Sequence, residues 1–171
     1  QMKKKNIHLL TQAAMIAALY VVLTFIANAF GLANYSVQVR FSEALTILPF
    51  FTPAAIPGLF IGCLISNILT GCAIPDIIFG SIATLIGALG TWKLSGSKNV
   101  FPKNIFPAPL PPILANTIIV PFVLRYAYGI RPLWLSFLTV GAGEIISCGI
   151  LGLLLAFTLN KYRSQIFRES F

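Results

Sequence analysis

A chain of 171 residues that is 57% hydrophobic and only 9% charged, with a mean hydropathy of +0.89, carries more apolar surface than one soluble core of that size can bury. Lipid is the solvent that accepts such surface, so the composition predicts an all-α integral membrane protein. Twelve Lys and Arg against four Asp and Glu leave a net charge of +8; without a basic stripe interleaved with aromatics, that excess speaks of orientation and lipid headgroups and excludes nucleic acid as the partner.

Six transmembrane helices are expected, forming one transmembrane domain over residues 1–171. The first, about 9–30, contains AAMIAALYVVLTFIANAF behind Lys3, Lys4 and Lys5. That basic start resembles a signal peptide, but no small-residue cleavage site follows, so the span is expected to be retained. The next apolar stretch, 41–70, is interrupted by PFFTPAAIPG. Prolines that lack a backbone donor, with Gly58 just after, divide it into helices at about 41–51 and 54–70. A fourth helix is expected at 75–92, then the polar linker KLSGSKNVFPKN, a fifth helix at 110–127 and a sixth at 132–160. With six spans both ends share one side. That side holds nine basic residues (Lys3, Lys4, Lys5, Lys93, Lys98, Lys103, Lys161, Arg163 and Arg168), and the other holds Arg40, Arg125 and Arg131. The asymmetry places both termini in the cytoplasm.

Few residues then need a chemical explanation. Glu144 lies near the middle of the last apolar run, twelve residues past Pro132 and so roughly 18 Å along a helix. An ionisable group at that depth is costly unless it meets a cavity or a partner, which makes ligand contact, an interhelical hydrogen bond or ion coupling its three readings. Asp76 follows Pro75 at the start of the fourth helix and reads equally as a ligand contact and as an acid complementing the helix dipole. Asn67 and Asn116 are amides inside apolar spans, where ligand contact competes with helix bridging. Asn28 and Thr24 are expected to be structural. Arg40 and Glu43, three apart at the expected outer end of the second helix, read either as an interfacial pair or as the rim of a site with Glu144 at its floor. On that second reading Glu43 is the contact and Arg40 a latch on the preceding loop.

Other chemistries lack their residues. Cys63, Cys72 and Cys148 have no CxxC spacing and His8 is the lone histidine, which argues against a metal site and makes the cysteines apolar fillers. There is no GxxxxGK[ST] phosphate loop and no HExxH or GxSxG, so neither ATP hydrolysis nor an enzyme is expected here. Alanines at i,i+4 on the first helix, Ala13/Ala17 and Ala14/Ala18, and Gly58/Gly62 on the third, suit close packing of helices, within the bundle or against another membrane protein.

The alanine-rich first helix, the six short spans and the length resemble the substrate-binding S-components of energy-coupling factor (ECF) vitamin transporters. VQVRFSEALTILPFFTPAAIPGLFIGCLISN, IPDIIFGSIATLIGAL and GAGEIIS resemble, more narrowly, the QueT family, over essentially the whole chain. The resemblance implies an S-component-like bundle in a bacterial plasma membrane, with no cofactor of its own. It would bind a queuosine precursor (preQ0, preQ1 or queuine, all 7-deazaguanines) near the extracellular side, under a lid formed by the first outer loop. Ala13, Ala14, Ala17 and Ala18 would dock on a shared transmembrane scaffold, and two cytoplasmic ATPases would use the ATP. For such a ligand Glu144 is expected at the N1–H and 2-amino edge, with Asn67 and Asn116 at the carbonyl or ring nitrogens. Glu43 or Asp76 would meet the amine of preQ1 or queuine, and Tyr35 and Phe41 would stack on the ring. Another planar vitamin such as folate or riboflavin, an ion-coupled carrier working alone and a structural subunit are the rival readings.

Overall fold

The structure, a computed structural model, describes residues 2–32, 39–95, 105–162 and 166, with side chains from Asn6 onward. Its elements are α1 (Met2–Ala29), a 3-10 helix (Phe41–Phe50), α2 (Ala55–Leu69), α3 (Ile74–Leu94), α4 (Leu110–Tyr128) and α5 (Leu133–Lys161), the last containing a π-helical stretch over Ile145–Leu151. No strand occurs among the described residues. α1, α3, α4 and α5 are long and apolar enough to cross a membrane, whereas the 3-10 helix and α2 are shorter apolar helices. α1 starts earlier than its apolar run because the lysines before it are good helix formers. The expected break near residue 52 is real and falls between Phe50 and Ala55.

The second element departs from expectation. It is not an α-helix but ten residues of 3-10 helix with Pro49 inside it, a long run for that winding and about 20 Å in length. It runs antiparallel to α1: Thr24 Oγ1 donates to Ser42 Oγ at 3.0 Å, and Thr52 Oγ1 to Gln12 Oε1 at 3.0 Å. Thr24 thus bridges α1 and the 3-10 helix. Phe41–Phe50 therefore begins inside the bundle, below the C-terminal end of α1, and the extended backbone at Arg40 leads down to it. A 3-10 helix stacks residues i and i+3, so Glu43, Thr46 and Pro49 form one line, with Arg40 just before it in extended backbone.

Glycines set the helix contacts. α1 and α2 run parallel, and a Cβ on Gly58 would lie 2.7 Å from the Ala13 carbonyl oxygen, one on Gly62 2.8 Å from Tyr20 Cβ. Across α3 and α4, a Cβ on Gly87 would meet Pro112 Cα at 2.6 Å and one on Gly90 would meet Pro111 Cβ at 2.4 Å. Such close approach supplies the dispersion contact that holds helices together where lipid offers no hydrophobic drive. The main apolar core gathers Tyr20, Ile47, Leu59, Ala88, Ile105 and Ala156 around the 3-10 helix.

Among the residues that α5 buries, Ser136, Val140, Glu144, Cys148, Gly152 and Ala156 form a line at four-residue spacing, with Gly143 and Ser147 beside it. An α-helix has 3.6 residues per turn, so such a line drifts by about 40° per step. The wider π turns after Glu144 take up much of that drift and keep the line facing the 3-10 helix, with Gly152 against Ala44 and Ile47.

Candidate functional site

Glu43, Asn116 and Glu144 come from three separate elements and meet. Asn116 Nδ2 lies 3.4 Å from Glu43 Oε2 and 3.3 Å from Glu144 Oε2, so one amide donates to both carboxylates. Glu43 is 1% exposed, Asn116 4% and Glu144 5%. Tyr20 of α1 donates its hydroxyl to Glu43 Oε1, and Cys148 Sγ donates to Glu144 Oε2 at 3.1 Å. Thr46 Oγ1 donates to the Glu43 carbonyl at 2.6 Å, and the Arg40 backbone N–H donates to Ser147 Oγ at 3.2 Å, which ties the 3-10 helix to α5 along its polar line.

The cluster is deep. Tyr20 stands nine residues before the end of α1, Asn116 twelve before the end of α4 and Glu144 eleven after the start of α5. At about 1.5 Å per residue, these positions are roughly 14–18 Å from the shared face of the bundle. Glu43 therefore lies at the floor beside Glu144, and its expected place at the rim is corrected. The cause is the 3-10 helix, which starts below the end of α1, beside Thr24, and brings Glu43 down to the level of Tyr20.

A second polar group lies nearer that face. Tyr128 Oη accepts the Ala73 N–H at 3.0 Å and donates to Asp76 Oδ2 at 3.1 Å, joining the ends of α3 and α4. Asn67 Nδ2 donates to the Asp76 carbonyl at 3.5 Å. Gly80 leaves room for this pair: a Cβ there would sit 3.3 Å from Asn67 Nδ2 and 3.4 Å from Asp76 Oδ1. Half-buried Arg40 links the two groups, since its guanidinium is attracted most by Asp76 and also by Glu43. Phe41 is half-buried at the start of the 3-10 helix, and Tyr35 lies outside the described residues.

Three of the chain's four acidic residues are thus buried in one region. Oxygens of Glu43 and Glu144 approach within 4.8 Å, and with Cys148 Sγ they form a set whose spacing is compatible with a metal ion. Two full charges at that distance would repel by about 3 kcal/mol at an effective dielectric of 20, which a positive or donating group between them relieves.

Two members of the site were not legible beforehand. Tyr20 shares with Ala13, Ala17, Thr24 and Ala27 the buried face of α1, but a tyrosine in an apolar run is ordinary and carries no signal. Cys148 is no mere apolar filler: it sits four residues after Glu144 on the same helical face and donates to it, and that spacing is the sequence signal for it. Tyr20→Phe removes the donor to Glu43 Oε1. It is expected to lower stability by about 1–3 kcal/mol, the cost of leaving a buried acceptor unsatisfied; thermal unfolding in detergent checks this, and an unchanged midpoint would contradict it.

The alanines of α1 divide. Ala13 and Ala17 are buried, facing Gly58 and Gly62, while Ala14 and Ala18 are exposed. Beside them an apolar groove of about 540 Å³ is lined by residues including Leu10, Ala14, Pro53, Pro57 and Ile61.

Comparison with known proteins bears on the whole of this arrangement. A curated relative, "Queuosine precursor transporter QueT" of Lactococcus lactis subsp. cremoris (strain MG1363), is 36% identical over 85 residues, and the match spans 50% of this chain and 50% of the relative. The chain thus covers about half the length of that relative. No solved structure matches. A family described as "QueT transporter" matches residues 10–161, which takes in every residue of the site and all the helices apart from the first eight residues of α1. On that match, the chain belongs to the QueT transporter family, a family of transporters and not of enzymes.

Proposed function

We propose that the chain is the substrate-binding S-component of an ECF-type importer and captures a queuosine precursor, a 7-deazaguanine, at the extracellular side of a bacterial plasma membrane. The observation that carries this reading is the pair of buried carboxylates, Glu43 and Glu144, bridged by the Asn116 amide at mid-depth. A site of this composition suits a small ligand rich in N–H donors, and the name of the curated relative gives the class of ligand. The chain passes the membrane six times as one domain with both termini cytoplasmic, the second pass consisting of extended backbone followed by the 3-10 helix. Arg40, Asn67, Asp76 and Phe41 line the way down to the acids. Lacking a phosphate loop, the chain leaves ATP to two partner ATPases and meets their transmembrane scaffold through the groove beside Ala14 and Ala18, with Ala13 and Ala17 beneath. Non-helical backbone at such depth is tolerated where protein buries it or a cavity lines it, which is what a binding site in the outer half provides.

Reconstituted vesicles test the reading. Purified protein is expected to bind 7-deazaguanines in preference to folate or riboflavin, and uptake is expected to require ATP together with the scaffold and ATPases. Uptake by the chain alone, driven by a proton gradient, would replace it with an ion-coupled carrier. Preference for folate or riboflavin would keep the transporter class and change the cargo.

A further inference from the structure

Hydrogen bonding at the floor is uneven. Both oxygens of Glu43 hold a donor, Tyr20 on one and Asn116 on the other. Glu144 differs: Asn116 and Cys148 both donate to Oε2, and among the described residues nothing donates to Oε1. Glu144 as a whole is 5% exposed, yet Oε1 is not among the fully enclosed unpartnered atoms, so the open oxygen faces accessible space and is placed to take a donor that arrives there.

Charge is uneven in the same direction. Glu43, Asp76 and Glu144 bring three acids into the region, and Arg40 is the one basic group that acts on either glutamate among the described residues. Arg40 is also drawn to Asp76, more strongly than to Glu43. The donors on the acid pair are a phenol, a thiol and an amide, all neutral. The amide spans the pair at 3.3 and 3.4 Å, whereas a charged nitrogen sits about 2.7–2.9 Å from a carboxylate oxygen. With acid oxygens within 4.8 Å of one another, one nitrogen can reach both carboxylates.

We propose that the ligand carries a positive charge, and that its ammonium group enters between Glu43 and Glu144, filling Oε1 of Glu144 and displacing the Asn116 amide from its bridging position. This deepens the proposed function and rests on it: among 7-deazaguanines it selects those with an amine on the 7-substituent over those with a neutral one. The amine and the N1–H and 2-amino edge lie on opposite sides of the ring. With the amine at the floor, the edge turns outward toward Asp76 and Asn67, and the assignment of Glu144 to that edge is given up.

The test compares two ligands that share one ring, a 7-aminomethyl and a 7-cyano 7-deazaguanine, by titration calorimetry on the full chain in lipid nanodiscs. The cation is expected to bind at least tenfold more tightly to the unmutated protein. Glu43→Gln and Glu144→Gln are each expected to weaken the cation at least tenfold and the nitrile less than threefold. Equal or tighter binding of the nitrile overturns the proposal while leaving the 7-deazaguanine reading intact. Equal weakening of both ligands in both variants also overturns it. Binding of neither ligand to the unmutated chain overturns the substrate reading and this inference together. The comparison on unmutated protein does not depend on either variant folding.

Discussion

Glu144→Gln is expected to weaken ligand binding at least tenfold without destabilising the fold. The substitution keeps the shape of the side chain and removes its charge. A hydrogen bond to a charged group contributes about 1.5–3 kcal/mol, and 1.4 kcal/mol corresponds to a factor of ten in affinity. Stability is expected to move the other way. Oxygens of Glu43 and Glu144 lie within 4.8 Å, so removing one charge relieves their repulsion. Binding sites commonly hold groups that are poorly satisfied in the empty protein and become satisfied by ligand. Isothermal titration and thermal unfolding on the same preparation separate the two effects. Unchanged affinity sinks the assignment of Glu144, and lost stability without lost affinity makes it a structural residue.

Gly87→Ala is expected to be among the most damaging small substitutions. The added methyl would lie 2.6 Å from Pro112 Cα and 2.8 Å from its Cβ, and a proline ring within a helix has no rotamer to move to. Relief must come from separating α3 and α4. Overpacking of this kind costs about 1–3 kcal/mol, a fall of roughly 3–10 °C in the unfolding midpoint for a chain of this size. Gly141→Ala is the contrast, since its nearest neighbour is the Thr117 methyl at 3.3 Å, the end of a side chain that can turn. The argument fails if the two variants unfold at the same temperature.

How far the sequence leads depends on the residue. Glu144 stood out because an acid in an apolar run has few places to go, and the amide at Asn116 was suspect for the same reason. The six helical segments followed from apolar runs and proline breaks, with ends displaced by a few residues where lysines extend α1. Glu43 was noticed and then misplaced. Hydropathy treats every apolar segment as starting at a membrane surface, and FSEALTILPF gives no sign that it winds as a 3-10 helix from below the end of α1. Tyr20 was invisible because its importance depends on Glu43 being beside it. Meetings between elements distant in sequence, such as Asn116 with an acid 73 residues before it, are fixed by packing, and no local pattern encodes them.

The four-residue spacing along α5 has a consequence for which changes in length the chain tolerates. Glu144 closes the α-helical part of α5, and Gly152 and Ala156 follow the π stretch. Deleting one residue between them would let the helix return to ordinary winding and lose no hydrogen-bonded turn. Seven ordinary α-helical steps turn about 700°, close to two full turns, so Gly152 and Ala156 would stay on the face that meets the 3-10 helix. Seven residues that look like generic apolar filler, IISCGIL, therefore hold one residue more than ordinary winding needs, and a one-residue deletion is tolerated there better than in the α-helical part before Glu144.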